Sequence, residues 1–236
     1  MEGASSVLFA REGLDDRLWQ ALQSYLDAIA ADPDLLYADQ HGTKHPGKFV
    51  LVEMYRDGAA RARQATSRHG LDWAAARCDL LEPESTEERI RPLMSAPPAM
   101  ARPADGGAAS PPQPLRRVLR AGCQPCGAFV RVFPKPEYQA EFMPILHAQG
   151  ERIAAGEPGF LYADFYLFDD PGCWLVVEYY DDRGSLSHHH TLAHTFDFAD
   201  RKARAGYESR KHDAFTLRPL ASVGPWARSF PAAGGS

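Results

Sequence analysis

Apolar and polar positions run through the same order twice along this chain. Each pass starts with a short β-rich run, at 7–10 and at 128–133, and continues into apolar residues at helical spacing. In the first predicted helix these are Leu18, Leu22, Tyr25, Leu26 and Ile29, and in the second Phe142, Ile145, Leu146 and Ile153. An Asp-Pro or Glu-Pro pair then ends each helix.

Two strands follow each of these helices and are joined by a turn containing Pro-Gly, at 46–47 and 171–172. A last strand is predicted at 77–81 in the first pass and at 214–218 in the second. The order βαββαβ is that of a ferredoxin-like α+β unit. The pattern therefore predicts two such domains.

A second helix is predicted through His69 in the first pass and through His194 in the second. Only about ten residues separate His69 from the predicted last strand, against about twenty after His194. We therefore expect a full helix at 195–207 and a shortened one in the first domain.

The two passes are also a sequence repeat, because 32–69 aligns with 157–194 without a gap at an offset of 125 positions. A repeat of this length is too long for a solenoid unit, so each copy is expected to be a domain. The segment after 83 is rich in Pro, Ala, Gly and Ser, which is typical of a linker. The predicted organisation is domain 1 at 1–83, a linker at 84–126, domain 2 at 127–221 and a tail at 222–236.

Composition excludes several classes of protein. The net charge is −5, and no run of Lys or Arg is long enough to follow a phosphate backbone, so nucleic-acid binding is not expected. No apolar stretch is long enough to cross a bilayer, and no signal peptide is evident at the N-terminus. Four irregularly spaced cysteines do not indicate a disulfide framework. We expect a cytoplasmic protein without a membrane partner.

An ordered set of motifs in the second copy resembles the antibiotic biosynthesis monooxygenase (ABM) family. The set comprises Glu157-Pro158-Gly159-Phe160-Leu161-Tyr162, Asp170-Pro171-Gly172, Leu175-Val176-Val177-Glu178-Tyr179-Tyr180-Asp181, His189 and His194. The resemblance covers nearly all of domain 2 and, more weakly, domain 1. It implies a dimeric α+β barrel of two ferredoxin-like domains, with both halves supplied here by one chain as a monomeric pseudo-dimer or a higher homo-oligomer.

The resemblance also implies a cofactor-independent monooxygenase, which oxidises a phenolic or enolisable small molecule with O₂ as co-substrate. A deprotonated phenol or enol is electron-rich and can pass an electron to O₂ directly. The protein then has only to orient the substrate, accept a proton and stabilise an oxyanion. The related secondary-metabolite enzymes use no flavin, haem or metal.

Histidines at the start of the second helix of domain 2 are the candidate bases. His189 and His194 occupy positions where the family often has histidine, and domain 1 keeps His69 at the second of these. A neutral imidazole is a suitable base for a phenolic proton. The alternative is a structural role, in which His194 packs against the strand ends. His190 and His194, four residues apart, could instead supply two metal ligands.

Strand alternation predicts further site residues in domain 2. Tyr162, Asp164 and Tyr166 share one face of their strand, and in the next strand one face carries the set Trp174, Val176, Glu178 and Tyr180. These mixed polar and aromatic faces are expected to point away from the helices, and the purely apolar faces to lie under them. Tyr166 is then a third candidate catalytic residue, and the candidate substrate-binding residues are Trp174, Tyr162, Glu178 and Tyr180. Packing between domains is the competing interpretation of this face.

Two further sequence features limit the chemistry. The pair Cys123 and Cys126 is an isolated C-x-x-C, a weak zinc signal, and is interpreted as two incidental surface thiols. The chain contains no asparagine. The resemblance implies an Asn, a Trp and a His in haem-degrading members, so haem degradation is not expected.

Three functional hypotheses remain open from the sequence. The first is the monooxygenase, with domain 2 as the active half because domain 1 has Gln64 and Phe49 at the positions of His189 and Trp174. The second is a non-redox cyclase or isomerase that uses the same groups for proton transfer. The third is a small-molecule-binding protein without turnover.

Overall fold

A computed structural model describes residues 1–96, 123–169, 173–204 and 214–228. The chain divides into two compact units. Of the described residues, unit 1 contains 1–91 and 218–228, and unit 2 contains the others. Most of the predicted linker and the end of the predicted tail, 97–122 and 229–236, lie outside the described residues, as does the predicted turn at 170–172.

Unit 1 is a βαββαβ unit with one helix split in two. Its elements are β1 (Glu2–Phe9), α1 (Asp15–Ile29), β2 (Leu35–Thr43), β3 (Lys48–Tyr55), α2 (Gly58–Thr66), α3 (Arg68–Leu80) and β4 (Thr86–Ala96). The strand β1 lies between β3 and β4 and is antiparallel to both. The strand β3 also pairs with β2, and this pairing is antiparallel as well.

Unit 2 repeats this order. Its elements are β5 (Cys126–Val132), α4 (Gln139–Gly156), β6 (Phe160–Phe168), β7 (Trp174–Tyr180), α5 (Arg183–His189), α6 (Ala193–Arg204) and β8 (Ala214–Val223). The strand β5 lies between β7 and β8, and β7 also pairs with β6, all antiparallel. The predicted α+β class with two βαββαβ units is confirmed.

The last strand of each copy is longer than the sequence predicts. In the first copy, this strand also lies at other residues than predicted. The predicted strand at 77–81 is wrong, because α3 continues to Leu80, and the strand β4 instead begins at Thr86, inside the predicted linker. In the second copy, β8 runs five residues beyond the predicted end at Arg218, to Val223 in the predicted tail. Each strand also crosses the division between units, after Arg91 in β4 and after Leu217 in β8.

The expected shortening of the second helix in the first copy is also wrong. α3 has 13 residues, and α6 has 12 within the described part of the second copy. α3 buries Trp73, whose ring stacks on Tyr25 of α1 at 5.2 Å between centroids. Three consecutive alanines directly before the predicted strand favour continuation of the helix.

The buried face of each first helix follows the predicted spacing. In α1 the five predicted apolar residues are all buried, and in α4 Phe142, Leu146 and Ile153 are buried while Ile145 is partly exposed. The turn between β2 and β3 needs Gly47, which adopts φ +70, a conformation that side chains with a Cβ rarely take. Of the described helices, none is long and apolar enough to span a membrane.

The faces of β6 and β7 show where alternation predicts correctly and where it does not. Ala163 and Phe165 of β6 pack in the core under the helices, as expected. On β7, however, Trp174, Val176 and Tyr180 belong to that same core, so the prediction that this set points away from the helices is wrong. All seven residues of β7 are buried, so polarity does not distinguish its two faces.

Candidate functional site

Glu157 closes α4 and places a carboxylate inside unit 2. Its backbone N–H donates to the Ile153 carbonyl at 3.0 Å, and Pro158 prevents the helix from continuing. The side chain is only 3% exposed. A carboxylate buried to this degree needs donors around it, because an unpaired buried charge costs several kcal/mol, on the order of 3 to 5.

Two imidazoles donate to this carboxylate. His189 Nδ1 lies 2.8 Å from Glu157 Oε1, and His194 Nε2 lies 2.6 Å from the same oxygen. His189 is the last residue of α5 and His194 the second residue of α6. The break between these two short helices therefore brings both rings to one acceptor.

This arrangement determines the tautomers of the two rings. A carboxylate accepts only, so the N–H lies on Nδ1 of His189 and on Nε2 of His194. The lone pair is then on Nε2 of His189 and on Nδ1 of His194. Each ring is held as a base with one defined accepting nitrogen.

Burial differs between the two rings and separates their roles. His189 is 6% exposed, and burial lowers its pKa, an effect that the hydrogen bond and charge of Glu157 oppose. The Thr195 hydroxyl donates to the His189 carbonyl at 2.7 Å and holds the end of α5 against α6. The His194 side chain is 22% exposed and is the more accessible of the two bases.

A cavity of about 610 Å³ lies beside this cluster and shares Glu157 with it. Its wall comprises Glu157, Pro158, Gly159, Phe160, Leu161, Tyr180, Asp181, Asp182, Gly184, Ser185 and His188. Such a volume is in the range of pockets that bury a small organic molecule. Unit 2 therefore has a ligand-sized cavity whose wall shares Glu157 with the two oriented imidazoles, although neither His189 nor His194 is among the described residues that line it.

The same cluster includes the atoms that could hold a metal ion. One ligand atom from each of Glu157, His189 and His194 lies within 4.8 Å of the other two. Both nitrogens approach a single carboxylate oxygen at hydrogen-bonding distance, and we assign them as hydrogen bonds. The predicted pair is not the one assembled, because His190 is exposed at the end of α5 and His189 takes its place beside His194.

The predicted site residues divide between two faces of the sheet. Tyr180 lies on the helix face and lines the cavity, and Trp174 lies on that face in the core, with its ring 5.0 Å from Phe142. Tyr166 and Tyr162 lie on the other face, where the Tyr166 hydroxyl is 3.4 Å from Asp164 and Tyr162 stacks on Tyr179. The structure does not bring these two tyrosines to the cluster.

Glu178 is placed on the helix face beside Tyr180. Its register partner on β6 is Ala163, which packs under the helices. Glu178 therefore shares a face with Tyr180 and not with Tyr166, and is absent from the described residues that line the cavity.

Sequence reasoning missed Glu157 as a functional residue. It was recognised only as part of the Glu-Pro helix stop, and its partners lie 32 and 37 residues further along the chain. The available signal was a carboxylate at the start of the strongest repeat match, paired with Asp32 in the first copy.

Unit 1 has a different polar cluster, which includes the counterpart of His189. Tyr25 and Tyr55 donate to Glu53 Oε1 at 2.7 and 3.1 Å, and Gln64 donates to the Tyr25 hydroxyl at 2.8 Å. Gln64 occupies the His189 position, and His69, the counterpart of His194, is exposed on α3. The carboxylate of this cluster is the counterpart of Glu178, so unit 1 does not repeat the Glu157 cluster among its described residues.

The cysteines of the C-x-x-C differ in exposure. Cys123 is partly exposed, with Sγ 3.4 Å from Asp182 Oδ2, and Cys126 is buried. The interpretation as two surface thiols is therefore wrong for Cys126. Burial raises the pKa of Cys126, so its thiol is the less reactive form.

Comparison with known proteins supports the resemblance. Residues 126–201 match the family model described as antibiotic biosynthesis monooxygenase. A search of curated proteins gave no match.

Three solved structures resemble this chain over nearly its whole length. A candidate monooxygenase from Fusobacterium nucleatum is 14% identical, with a TM-score of 0.72 and 94% of each chain covered. One from Lactobacillus acidophilus is 14% identical, with a TM-score of 0.68 and 96% and 97% covered. An anthrone oxidase-like protein is 12% identical, with a TM-score of 0.66 and 100% and 96% covered. At these identities the likeness shows the fold.

Proposed function

Because residues 126–201 carry a domain of the antibiotic biosynthesis monooxygenase family, we propose that this chain is a monooxygenase. It oxidises a phenolic or enolisable small molecule with O₂ and uses no cofactor. The observation that carries the proposal is the pair of imidazoles oriented by one buried carboxylate beside a ligand-sized cavity. All of these groups lie in unit 2.

His194 is the proposed general base. Its Nδ1 carries the lone pair, and its side chain is more exposed than that of His189. The proton of the substrate hydroxyl passes to Nδ1, and the oxygen becomes an anion. That anion is the electron-rich species that can transfer an electron to O₂.

Glu157 acts through the histidines as a positioning residue. Its carboxylate holds the Nε2–H tautomer of His194 and stabilises the imidazolium formed when Nδ1 takes the proton. His189 donates to the same oxygen and lies 6.1 Å from His194 between ring centroids. Burial lowers the pKa of His189, so this second ring remains neutral and does not compete for the proton.

The central experiment measures oxygen uptake by wild type and by His194→Ala with a panel of phenols, naphthols and anthrones. General-base catalysis typically contributes about 10²- to 10⁴-fold, so kcat should fall by at least about 100-fold. His69→Ala changes the equivalent exposed residue of unit 1 and is the matched control, with unchanged kcat expected. Full activity in His194→Ala would remove this residue from the mechanism.

A cyclase or isomerase is the second candidate. The two imidazoles present separate accepting nitrogens, Nε2 of His189 and Nδ1 of His194, which suits proton removal at one atom and return at another. Such an enzyme would convert its substrate under anaerobic conditions without consuming O₂. Turnover of the same panel in an oxygen-free chamber therefore distinguishes the two reactions.

A further inference from the structure

The cavity of unit 2 occupies the place of an ion-pair cluster in unit 1. At the equivalent positions of the first copy, Arg63 contacts the Asp34 carboxylate at 2.5 Å and Arg56 lies 3.8 Å from it. The Arg56 guanidinium also donates to the Pro33 carbonyl at 3.3 Å. Asp34 and the two arginines thus contact each other where the second copy has open space.

Three replacements in the repeat remove this cluster. Gly159 stands at the position of Asp34, Asp181 at that of Arg56, and His188 at that of Arg63. A Cβ added at Gly159 would clash with Ser185 and come within 2.7 Å of Asp181 Oδ1. Only glycine fits against Ser185 at this position, and all three replacements line the cavity.

The exchange also makes the lining more acidic. The equivalent positions of unit 1 carry three acids and the two arginines, whereas the cavity wall carries the three acids Glu157, Asp181 and Asp182 and neither arginine. None of the described lining residues is lysine or arginine. The first amides of α5 offer little to an anion, because Asp182 already accepts from Ser185 N at 2.7 Å.

A buried hydroxyl in the same wall provides a second observation. Tyr180 is fully buried, and in the described part of the chain its hydroxyl makes no hydrogen bond of good geometry. Burial, followed by the charges of Glu178 and Glu157, raises its pKa, so the phenol stays protonated. Its counterpart in unit 1, Tyr55, donates to Glu53. The Tyr180 hydroxyl interacts with Glu178, and a buried polar group whose hydrogen bond is poorly formed loses part of about 1 to 3 kcal/mol, which a ligand can recover.

We propose that the unit 2 cavity binds a positively charged small molecule, an amine carried on an aromatic body. The carboxylates of Asp181, Asp182 and Glu157 attract the ammonium group, and Phe160 and Leu161 supply apolar wall for the ring. The inference names the ligand class of the proposed monooxygenase. It rests on that function for the reaction but not for the binding.

The test compares three probes of one size by isothermal titration calorimetry under anaerobic conditions. They are tyramine (cationic), 4-ethylphenol (neutral) and 3-(4-hydroxyphenyl)propanoate (anionic). We expect tyramine to bind at least about ten-fold more tightly than 4-ethylphenol, and the anion most weakly. Equal affinity for the neutral probe, tighter binding of the anion, or no heat with tyramine at millimolar concentration would each overturn the proposal.

A charge-removing variant locates the effect. Asp181→Asn should weaken tyramine binding about five-fold and leave 4-ethylphenol unchanged. Arg56→Asn makes the same residue at the equivalent position of unit 1 and should change neither probe. If Asp181→Asn weakened both probes equally, the residue would act through cavity shape and the charge argument would be wrong.

The two proposals fail in different ways. His194→Ala should keep the preference for tyramine and lose oxygen uptake. Retained preference with no oxygen uptake in wild type would refute the monooxygenase and leave the binding inference standing. If oxygen uptake occurred with neutral or anionic substrates alone, the binding inference would be refuted and the monooxygenase would stand.

Discussion

Glu157→Gln is the sharpest test of the cluster, because it keeps the volume of the side chain and removes its charge. The wild-type carboxylate accepts from His189 at 2.8 Å and from His194 at 2.6 Å on one oxygen. The amide of glutamine offers one accepting oxygen and an NH₂ group that can only donate. One ring can keep its donor role, and the other must face a second donor or change tautomer.

The magnitude follows from the two hydrogen bonds. A hydrogen bond to a charged group contributes about 1.5 to 3 kcal/mol, and a neutral one about 0.5 to 1.5. Loss of one and weakening of the other therefore costs about 2 to 4 kcal/mol. Relief from burying the charge, at 3% exposure, offsets part of this cost. We expect a net loss of about 2 kcal/mol.

Three measurements follow this variant. Urea denaturation reports the free energy of unfolding, oxygen uptake reports kcat, and ¹⁵N chemical shifts of the imidazoles report the tautomers. The hydrogen bond and charge of Glu157 raise the pKa of His189, so that pKa should fall further when the charge is removed. Asp32→Asn, at the equivalent position, is the control, since Asp32 accepts from Asp34 N at 2.9 Å and asparagine can do the same.

A specific set of results would refute the reasoning. It is a Glu157→Gln variant with unfolding free energy within about 0.5 kcal/mol of wild type, unchanged tautomers and unchanged kcat. The carboxylate would then neither orient the imidazoles nor stabilise unit 2. Loss of stability with unchanged kcat would restrict Glu157 to a structural role.

Two further predictions concern buried residues outside the cluster. Burial raises the pKa of Glu53 to about 6 in the folded chain, so folding favours the protonated acid. The stability that this protonation contributes is present below the unfolded pKa near 4.5 and is lost as pH rises through 6. Denaturation at pH 4.5 and pH 7.5 should show this as about 2 kcal/mol that Glu53→Gln lacks, and an identical pH dependence in both proteins would contradict the assignment. Trp174 packs on Phe142 in the core, so Trp174→Phe should lower the unfolding free energy by about 1 to 2 kcal/mol and leave KM unchanged. A several-fold rise in KM with unchanged stability would instead place Trp174 against the substrate.

Local patterns were sufficient for the order of elements. The spacing of Leu18, Leu22 and Ile29 identified α1, because a helix that packs on a sheet must present one apolar face. The repeat then predicted the same order for the second copy. These signals depend on near neighbours in the chain, which a single sequence displays directly.

The errors arose where local signals are ambiguous. The segment 77–81 ends in Leu-Leu after an alanine-rich stretch, and burial of Trp73 on Tyr25 decides in favour of helix. On β7 both faces are buried, so alternation no longer indicates which one meets the helices. The register with β6, which pairs Leu167 with Trp174, determines the side.

The sequence by itself thus determined two α+β copies of one unit and identified His189, beside the shared His194, as a chemically distinctive difference of the second. Only the tertiary structure decided what these histidines contact. Glu157 reaches them because the end of α4, the strands β6 and β7, and the break between α5 and α6 bring residues that are distant in the chain to one point. The tertiary structure also decided that Gly159 and Asp181 line a cavity at the repeat positions where Asp34 and Arg56 form an ion pair, since the space between side chains depends on packing across elements.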